Sequence, residues 1–445
     1  MKTLTTLKTL SFICLAPCAF LGAAHAAAAE DALPARLSLA DAEHLFLERG
    51  LDLLIAQYGT QGVEGDLRAA GAHPNPGLDL SVVYTPTLTH DALYSVGTNA
   101  RANLWGFGVG LTDNAAIEDQ LSGKRSLRIE AASKALAAAR VNIEDIKRLE
   151  LAQLRQAYVA AVMARLNVEA AKDSFDTFDK QLKLNQTRYD EGAINGLDLS
   201  RVTQAQLEAL QGLDQAESGL KQAMASLMFV LGVRSELPDV TLTTGIDYSP
   251  LAHLTQTNVQ SLHALALGNR TDVKMAVANL EQAEVLVRQA KRARLPNIAL
   301  SLGYSEQCSA DSCSSEPGVT AGLQGNVPIL YQQQGEIQRA ASNARVAERT
   351  LEKVKAQVLS DVTQAFAGYV AAKRQVERME TKLLEQAKIS RDLAQHMYQK
   401  GAASFIDFMD AQRAYVASRL EYHQDLANYW DTVYQLEQAT SASFH

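Results

Sequence analysis

Three aspartates carry the spacing in this chain that could do chemistry: Asp198, and then Asp407 with Asp410. Asp407 and Asp410 are three residues apart, so on a helix their carboxylates share one face. Carboxylates gathered at a constriction raise the local negative potential and favour cations. Two of the three also have a structural use. Asn195 and Ser404 are N-cap residue types, and Asp198 and Asp407 follow them by three residues, as in a capping box. A second pair is Cys308 and Cys313, in Cys308-Ser309-Ala310-Asp311-Ser312-Cys313. In an exported protein such a pair forms a local disulfide. The competing reading, a metal site, needs further ligands, and no His lies nearby. His423 falls on a helical stripe and reads as a core residue, and the other His residues are scattered. There is no nucleophile elbow, paired-His metal motif or phosphate loop. Gly106-x-Gly108-x-Gly110 lies inside a strand pattern, not between a strand and a helix. The residues therefore point away from an enzyme, and no cofactor is expected.

The aspartates belong to a stretch that occurs twice. Tyr189-Asp190-Glu191-Gly192-Ala193-Ile194-Asn195-Gly196-Leu197-Asp198 returns 209 residues later as Tyr398-Gln399-Lys400-Gly401-Ala402-Ala403-Ser404-Phe405-Ile406-Asp407. Gly192 and Gly401 are helix stops, because glycine accepts the left-handed conformation that closes a last turn. Each copy reads as a tight reversal between antiparallel helices.

Composition bounds the class. The chain has 445 residues, 47% of them hydrophobic, 6% aromatic, with 10 Pro. Mean hydropathy is only −0.11, so apolar residues are dispersed among polar ones. The net charge of −8 argues against nucleic acid as a partner. Lys2 and Lys8, an apolar run from Leu10 to Ala24, and Ala24-His25-Ala26 read as a secretory signal over residues 1–26. Cys18 follows Leu15-Ala16-Pro17, which touches on a lipoprotein signal, although Pro17 fits poorly there. Beyond this no apolar run is long enough for a transmembrane helix.

In order, a helix is expected over Ser38–Gly71, stopped by His73-Pro74-Asn75-Pro76-Gly77. The period then becomes two: Leu78, Leu80, Val82 and Tyr84, and later Trp105, Phe107, Val109 and Leu111, alternate with small or polar residues. A hairpin over 78–111 is predicted. A long helix follows to about Glu191, with Leu151, Leu154, Tyr158 and Ala161 at coiled-coil spacing, and a return helix covers Leu197–Leu231. The plan then repeats. A helix over Val259–Leu295 meets Pro296-Asn297, a second hairpin covers 298–327, and a long helix runs from Gly335 to Lys400. The return helix from Phe405 to Ala439 carries Val416, Leu420, His423, Ala427, Trp430 and Tyr434 in steps of four and three. Each long helix would reach on the order of 100 Å. The two short helices of each half sum to its length, so they can lie end to end beside it. The repeats are 27–247, turning near 192–196, and 248–445, turning near 401–404.

Strands of about ten residues with one bulky face and one small or polar face are the pattern of outer-membrane strands. Backbone in lipid must be fully bonded, so such a sheet has to close. Four strands cannot close a barrel, and several chains must share one.

The duplicated plan, the Pro-Asn helix stops and the Gly-x5-Asp turns closely resemble the TolC family of outer-membrane efflux channels, over nearly the whole mature chain. Gly123-Lys124-Arg125, Pro328-Ile329-Leu330 and Gly335-Glu336 resemble its CzcC-type branch, which serves heavy-metal tripartite pumps. The resemblance implies a mainly helical homotrimer in the cell outer membrane. Each chain gives four strands to a twelve-stranded transmembrane barrel and long coiled-coil helices to a periplasmic tunnel. The partners implied are a periplasmic adaptor and an inner-membrane transporter of the RND type. The family's gate lies at the helix turns and matches Tyr398, Asp407, Asp410 and Asp198, with Gly192 and Gly401 as hinges. Ala403 stands where the family has a basic residue, so that salt bridge is lost. Lys124 and Arg125 are expected as interface anchors. Multidrug or type I protein-secretion channels of the same fold, and a periplasmic coiled-coil adaptor, are the competing readings.

Overall fold

The computed structural model describes residues 33–85, 104–233, 240–251, 254, 258–309 and 312–444. The export signal and Cys18 lie outside the described residues, as do the side chains of Cys308 and Cys313 and hence the expected disulfide.

Ser38 opens the first helix, α1 (Leu39–Arg49), with a capping box to Asp41. The expected single helix is in fact two. Gly50 takes an extended conformation, and α2 (Leu51–Gly71) starts after it. A Cβ on Gly50 would sit 2.6 Å from the Phe46 ring, so the break needs glycine for space. After the prolines come β2 (Gly77–Thr85) and β3 (Leu104–Thr112), numbered after a short strand β1 (Arg36–Leu37). A short helix α3 (Ala116–Leu121) leads into α4 (Lys124–Asp190), whose 67 residues span about 100 Å. The return helix is α5 (Gly196–Val230). A strand β4 (Thr241–Leu242) pairs in parallel with β1.

The expected helix over 259–295 is likewise broken, at Arg270, into α6 (Val259–Asn269) and α7 (Thr271–Arg292). Here a buried guanidinium holds the break: Arg270 donates to Asp272 and to Asp361. Then come β5 (Asn297–Ser309) and β6 (Ser312–Asn326). The second long helix is interrupted too. It consists of α8 (Gln334–Arg378), a five-residue π-turn over Met379–Leu383, and α9 (Leu384–Gln399). The chain ends on α10 (Phe405–Thr440).

α4 is the spine, with α2 and α7 packed on one part of it and α5 and α10 on the rest. The short helices do meet end to end. Gly232, just past α5, lies so close to Arg49 at the end of α1 that a Cβ would be 2.7 Å from the Arg49 carbonyl oxygen. In the other stack, Arg270 reaches the Ala439 carbonyl at the end of α10. The main core gathers at this level, around Tyr158, Tyr369 and Tyr429. The Tyr158 hydroxyl donates to the Leu37 carbonyl and accepts from the Thr244 N–H, each at 3.0 Å, fixing the β1–β4 pair against α4. His423 is buried there, paired with Asn167 at 3.0 Å, and burial pushes its imidazole down to about 4, so it is a neutral core group.

At one end of the rod the four long strands form one antiparallel sheet in the order β2-β3-β5-β6. Its register stacks bulky residues in rows on one face: Leu80, Val109, Tyr304 and Val319 form one row, and Leu78, Leu111, Leu302 and Ala321 another. The other face carries Asp79, Gly110, Gly303 and Thr320 in line. The alternation breaks at Glu306, which falls in the bulky row of Val82 and Phe107, and at Val83, which lies with Gly106 on the small and polar face. The bulky rows are exposed, with Leu80 at 73% and Val319 at 81%. Among the described residues no helix is long and apolar enough to cross a membrane.

Lys124 and Arg125, expected as interface anchors, are tied to the ends of neighbouring helices. Lys124 Nζ donates to the Leu295 carbonyl (2.8 Å) and Asn297 Oδ1 (2.6 Å) and pairs with Glu118 (3.1 Å). Arg125 donates twice to the Gly71 carbonyl. The two side chains thus cap the ends of α7 and α2 where helix turns into strand.

Candidate functional site at the helix turns

The opposite end of the rod holds the two reversals. Both glycines are left-handed, φ +76° at Gly192 and +73° at Gly401, and neither would meet another atom through a Cβ. The demand there is for conformation, not space. The N–H of Ala193 donates to the Arg188 carbonyl at 2.7 Å, and that of Ala402 to Met397 at 2.8 Å, which closes each helix end.

The next helices are then capped from the side chain. Asn195 Oδ1 accepts from the Asp198 N–H at 2.9 Å. Ser404 Oγ accepts from the Asp407 N–H at 3.2 Å, while Asp407 Oδ2 accepts from the Ser404 N–H (2.9 Å) and hydroxyl (2.7 Å). These donors hold the Asp407 carboxyl below its usual range. Asp198 sits 3.6 Å from Arg201 in an exposed pair, which contributes little in water. Asp410 is exposed and has no hydrogen bond or ion pair with another described residue. Two of the three aspartates therefore have capping or pairing duties, and Asp410 projects freely.

Tyr398 has another partner altogether. It is 7% exposed, and its hydroxyl donates to Asn185 Oδ1 at 2.6 Å. Asn185, itself 2% exposed, is oriented by its amide donating to the Gln181 carbonyl at 2.8 Å. The Tyr398 ring stacks on Phe408, with centroids 5.8 Å apart and planes 8° from parallel, and meets Phe405 edge-on at 5.7 Å. The Arg188 guanidinium lies over it at 5.6 Å. Phe178, Val202, Ala205, Tyr398, Phe405 and Phe408 form a small second core separate from the main one. It joins α4, α5, α9 and α10, so the two turns move as one body while it stays packed. Arg413 to Glu208 (2.5 Å) and Arg419 to Asp173 (2.6 Å) tie α10 across to α5 and α4.

The structure thus joins Tyr398 to Asn185 and leaves Asp198 and Asp407 to their own helices. Asn185 is the residue sequence reasoning missed. A signal was present, since Phe178, Gln181 and Asn185 follow one another in steps of three and four.

Residues 43–233 and 262–442 match the model of the family described as outer membrane efflux protein. The cobalt-zinc-cadmium resistance protein CzcC of Cupriavidus metallidurans is 24% identical over 386 residues, covering 87% of this chain and 85% of that protein. The pyoverdine export outer membrane protein OpmQ of Pseudomonas aeruginosa is 24% identical, covering 75% and 69%. Among solved structures, the outer membrane protein VceC of Vibrio cholerae superposes with TM-score 0.70 at 19% identity, over 92% of this chain and 97% of that one. The CmeC outer membrane channel of Campylobacter jejuni gives 0.74 at 16%, over 90% and 85%. These likenesses are of fold.

Proposed function

This chain belongs to the outer membrane efflux protein family, and we propose that it is the outer-membrane duct of a tripartite pump exporting heavy-metal cations from the periplasm. It sits in the outer membrane with a long helical extension into the periplasm, and it conducts solutes without making or breaking a bond. The observation that carries the proposal is the open sheet. β2 and β6 are its free edges, and the bulky rows of Leu80 and Leu78 are exposed. An apolar face this broad belongs against lipid and not in water, and the unpaired backbone edges cannot persist in lipid by themselves. Edge β6 of one copy pairing with β2 of the next closes the sheet. Three copies give the twelve strands the family uses, with residues 27–247 and 248–445 as two repeats of one plan and residues 1–26 as the export signal. The helices continue as a tunnel whose turns meet a periplasmic adaptor, driven by an inner-membrane transporter of the RND type.

The tip cluster is the gate. Tyr398 holds the α9–α10 turn against α4, and threefold symmetry gathers Asp407 and Asp410 into a ring of six carboxylates around the periplasmic mouth. Such a ring concentrates cations. The metal cargo is supported by that ring and by the extent of the match to the cobalt-zinc-cadmium resistance protein. The pyoverdine-export relative favours a second reading, an organic solute. Two measurements test the proposal. Purified membranes should yield a heat-modifiable trimer, and a monomer in the soluble periplasm would overturn the duct. A deletion strain should lose resistance to zinc, cobalt or cadmium, and unchanged resistance to all three would overturn the metal cargo.

A further inference from the structure

The π-turn at Met379–Leu383 has a measurable effect on where the gate points. Along α8 the inward-facing residues are Val358, Val362, Ala365, Tyr369, Ala372 and Val376, then Met379 at the start of the π-turn, in steps of four and three. Beyond it the inward positions are Leu384, Ala387, Arg391, Ala394 and Tyr398, again in steps of three and four. Between Met379 and Leu384 the step is five. Five residues of α-helix turn through about 500°, roughly 140° past a full turn, which would carry Tyr398 round α9 and away from α4. The Leu384 N–H instead reaches back five residues to the Met379 carbonyl. The widened turn absorbs the extra residue, and the stripe resumes on the same face. Thr381 supports it, its hydroxyl donating to the Glu377 carbonyl at 2.6 Å. α4 has no such turn from Lys124 to Asp190.

The turn also divides the packing. On this long helix the main core ends at Val376, and the tip cluster begins only at Tyr398. Tyr398 is the one buried residue of α9, which packs chiefly on α10. A segment held towards its far end by one hydrogen bond, a few rings and the two ion pairs of α10, and joined to the core through a widened turn, is a lever with a hinge.

We propose that the π-turn is the pivot on which the α9–α10 hairpin swings away from α4 when the duct opens. The proposal rests on the gated-duct reading. The 16 residues of α9 make an arm of about 24 Å, so a bend of about 10° moves the tip about 4 Å. That displacement parts the Tyr398 hydroxyl from Asn185.

Hydrogen exchange on the purified protein in detergent tests this. Tyr158-Val159-Ala160-Ala161 recurs as Tyr369-Val370-Ala371-Ala372, so residues 377–388 of the hinge correspond to 166–177 of α4. The hinge peptide should exchange at least ten-fold faster than its α4 counterpart. Deleting Thr381 should return it to parity while keeping Tyr398 against Asn185, and should reduce opening in planar bilayers. Equal exchange of the two wild-type peptides overturns the pivot. So does a deletion variant that exchanges slowly yet opens like wild type. If the deletion does not fold, the wild-type comparison decides alone. Normal gated conductance with equal exchange rejects the pivot and leaves the duct standing, whereas absence of conductance rejects both.

Discussion

Replacing Tyr398 with Phe isolates the latch, because the ring packing on Phe405 and Phe408 survives and only the hydroxyl goes. Asn185 Oδ1 then loses its donor in a site where Asn185 is 2% exposed. A buried acceptor left without a partner costs about 1–3 kcal/mol. The cost falls on the closed arrangement alone, since water reaches Asn185 once the tip has moved. The closed-to-open balance of each protomer should therefore shift about 5–150-fold towards open. In a planar bilayer the purified Tyr398→Phe protein should dwell longer at high conductance than wild type. Asn185→Ala removes the acceptor instead, and the double variant completes a cycle in which directly bonded partners show coupling of about 0.5–3 kcal/mol. Wild-type gating in Tyr398→Phe, or two effects that simply add, would refute the latch.

In an Asp410→Asn variant the remaining carboxylate is Asp407, held below the usual aspartate range by its Ser404 donors, so cation selectivity should persist below that range in reversal-potential measurements. The sign follows for stability too: a lowered carboxyl stabilises the capped helix above its unfolded value and stops doing so as pH falls through the folded one. Asp407→Ala with Asp410→Ala should weaken both selectivity and block by multivalent cations, and unchanged selectivity would remove the ring from the gate. Lys124→Met leaves Glu118 and two further acceptors without their cation at a junction where both charged side chains are under 15% exposed. It should cost about 3 kcal/mol or more and lower the temperature at which the assembly dissociates on gels. Val319→Lys puts a charge on the bulky face and should cost about 2–4 kcal/mol if it lies near the bilayer midplane. Thr320→Lys, on the other face, should be tolerated, and equal assembly of the two variants in outer-membrane fractions would reverse the assignment of faces.

The sequence alone determined what is periodic or local. Alternation of Leu78, Leu80, Val82 and Tyr84 marked a strand with two unlike faces, and Pro74 and Pro296 marked where helices end. Gly192 and Gly401 with Asn195 and Ser404 gave the turns, because a left-handed stop and an N-cap are written within a few residues of each other. Tertiary structure decided what depends on azimuth and on neighbours far along the chain. Arg270 reads as an ordinary helix residue until Asp361 is placed beside it, and Lys124 and Arg125 become caps only when α2 and α7 end within their reach. Tyr398 was legible as a candidate gate residue through the family resemblance, but its partner depends on how far each long helix has rotated after many turns. One residue absorbed at Met379–Leu383 shifts that rotation by about 100°, and so keeps Tyr398 on the face that meets Asn185.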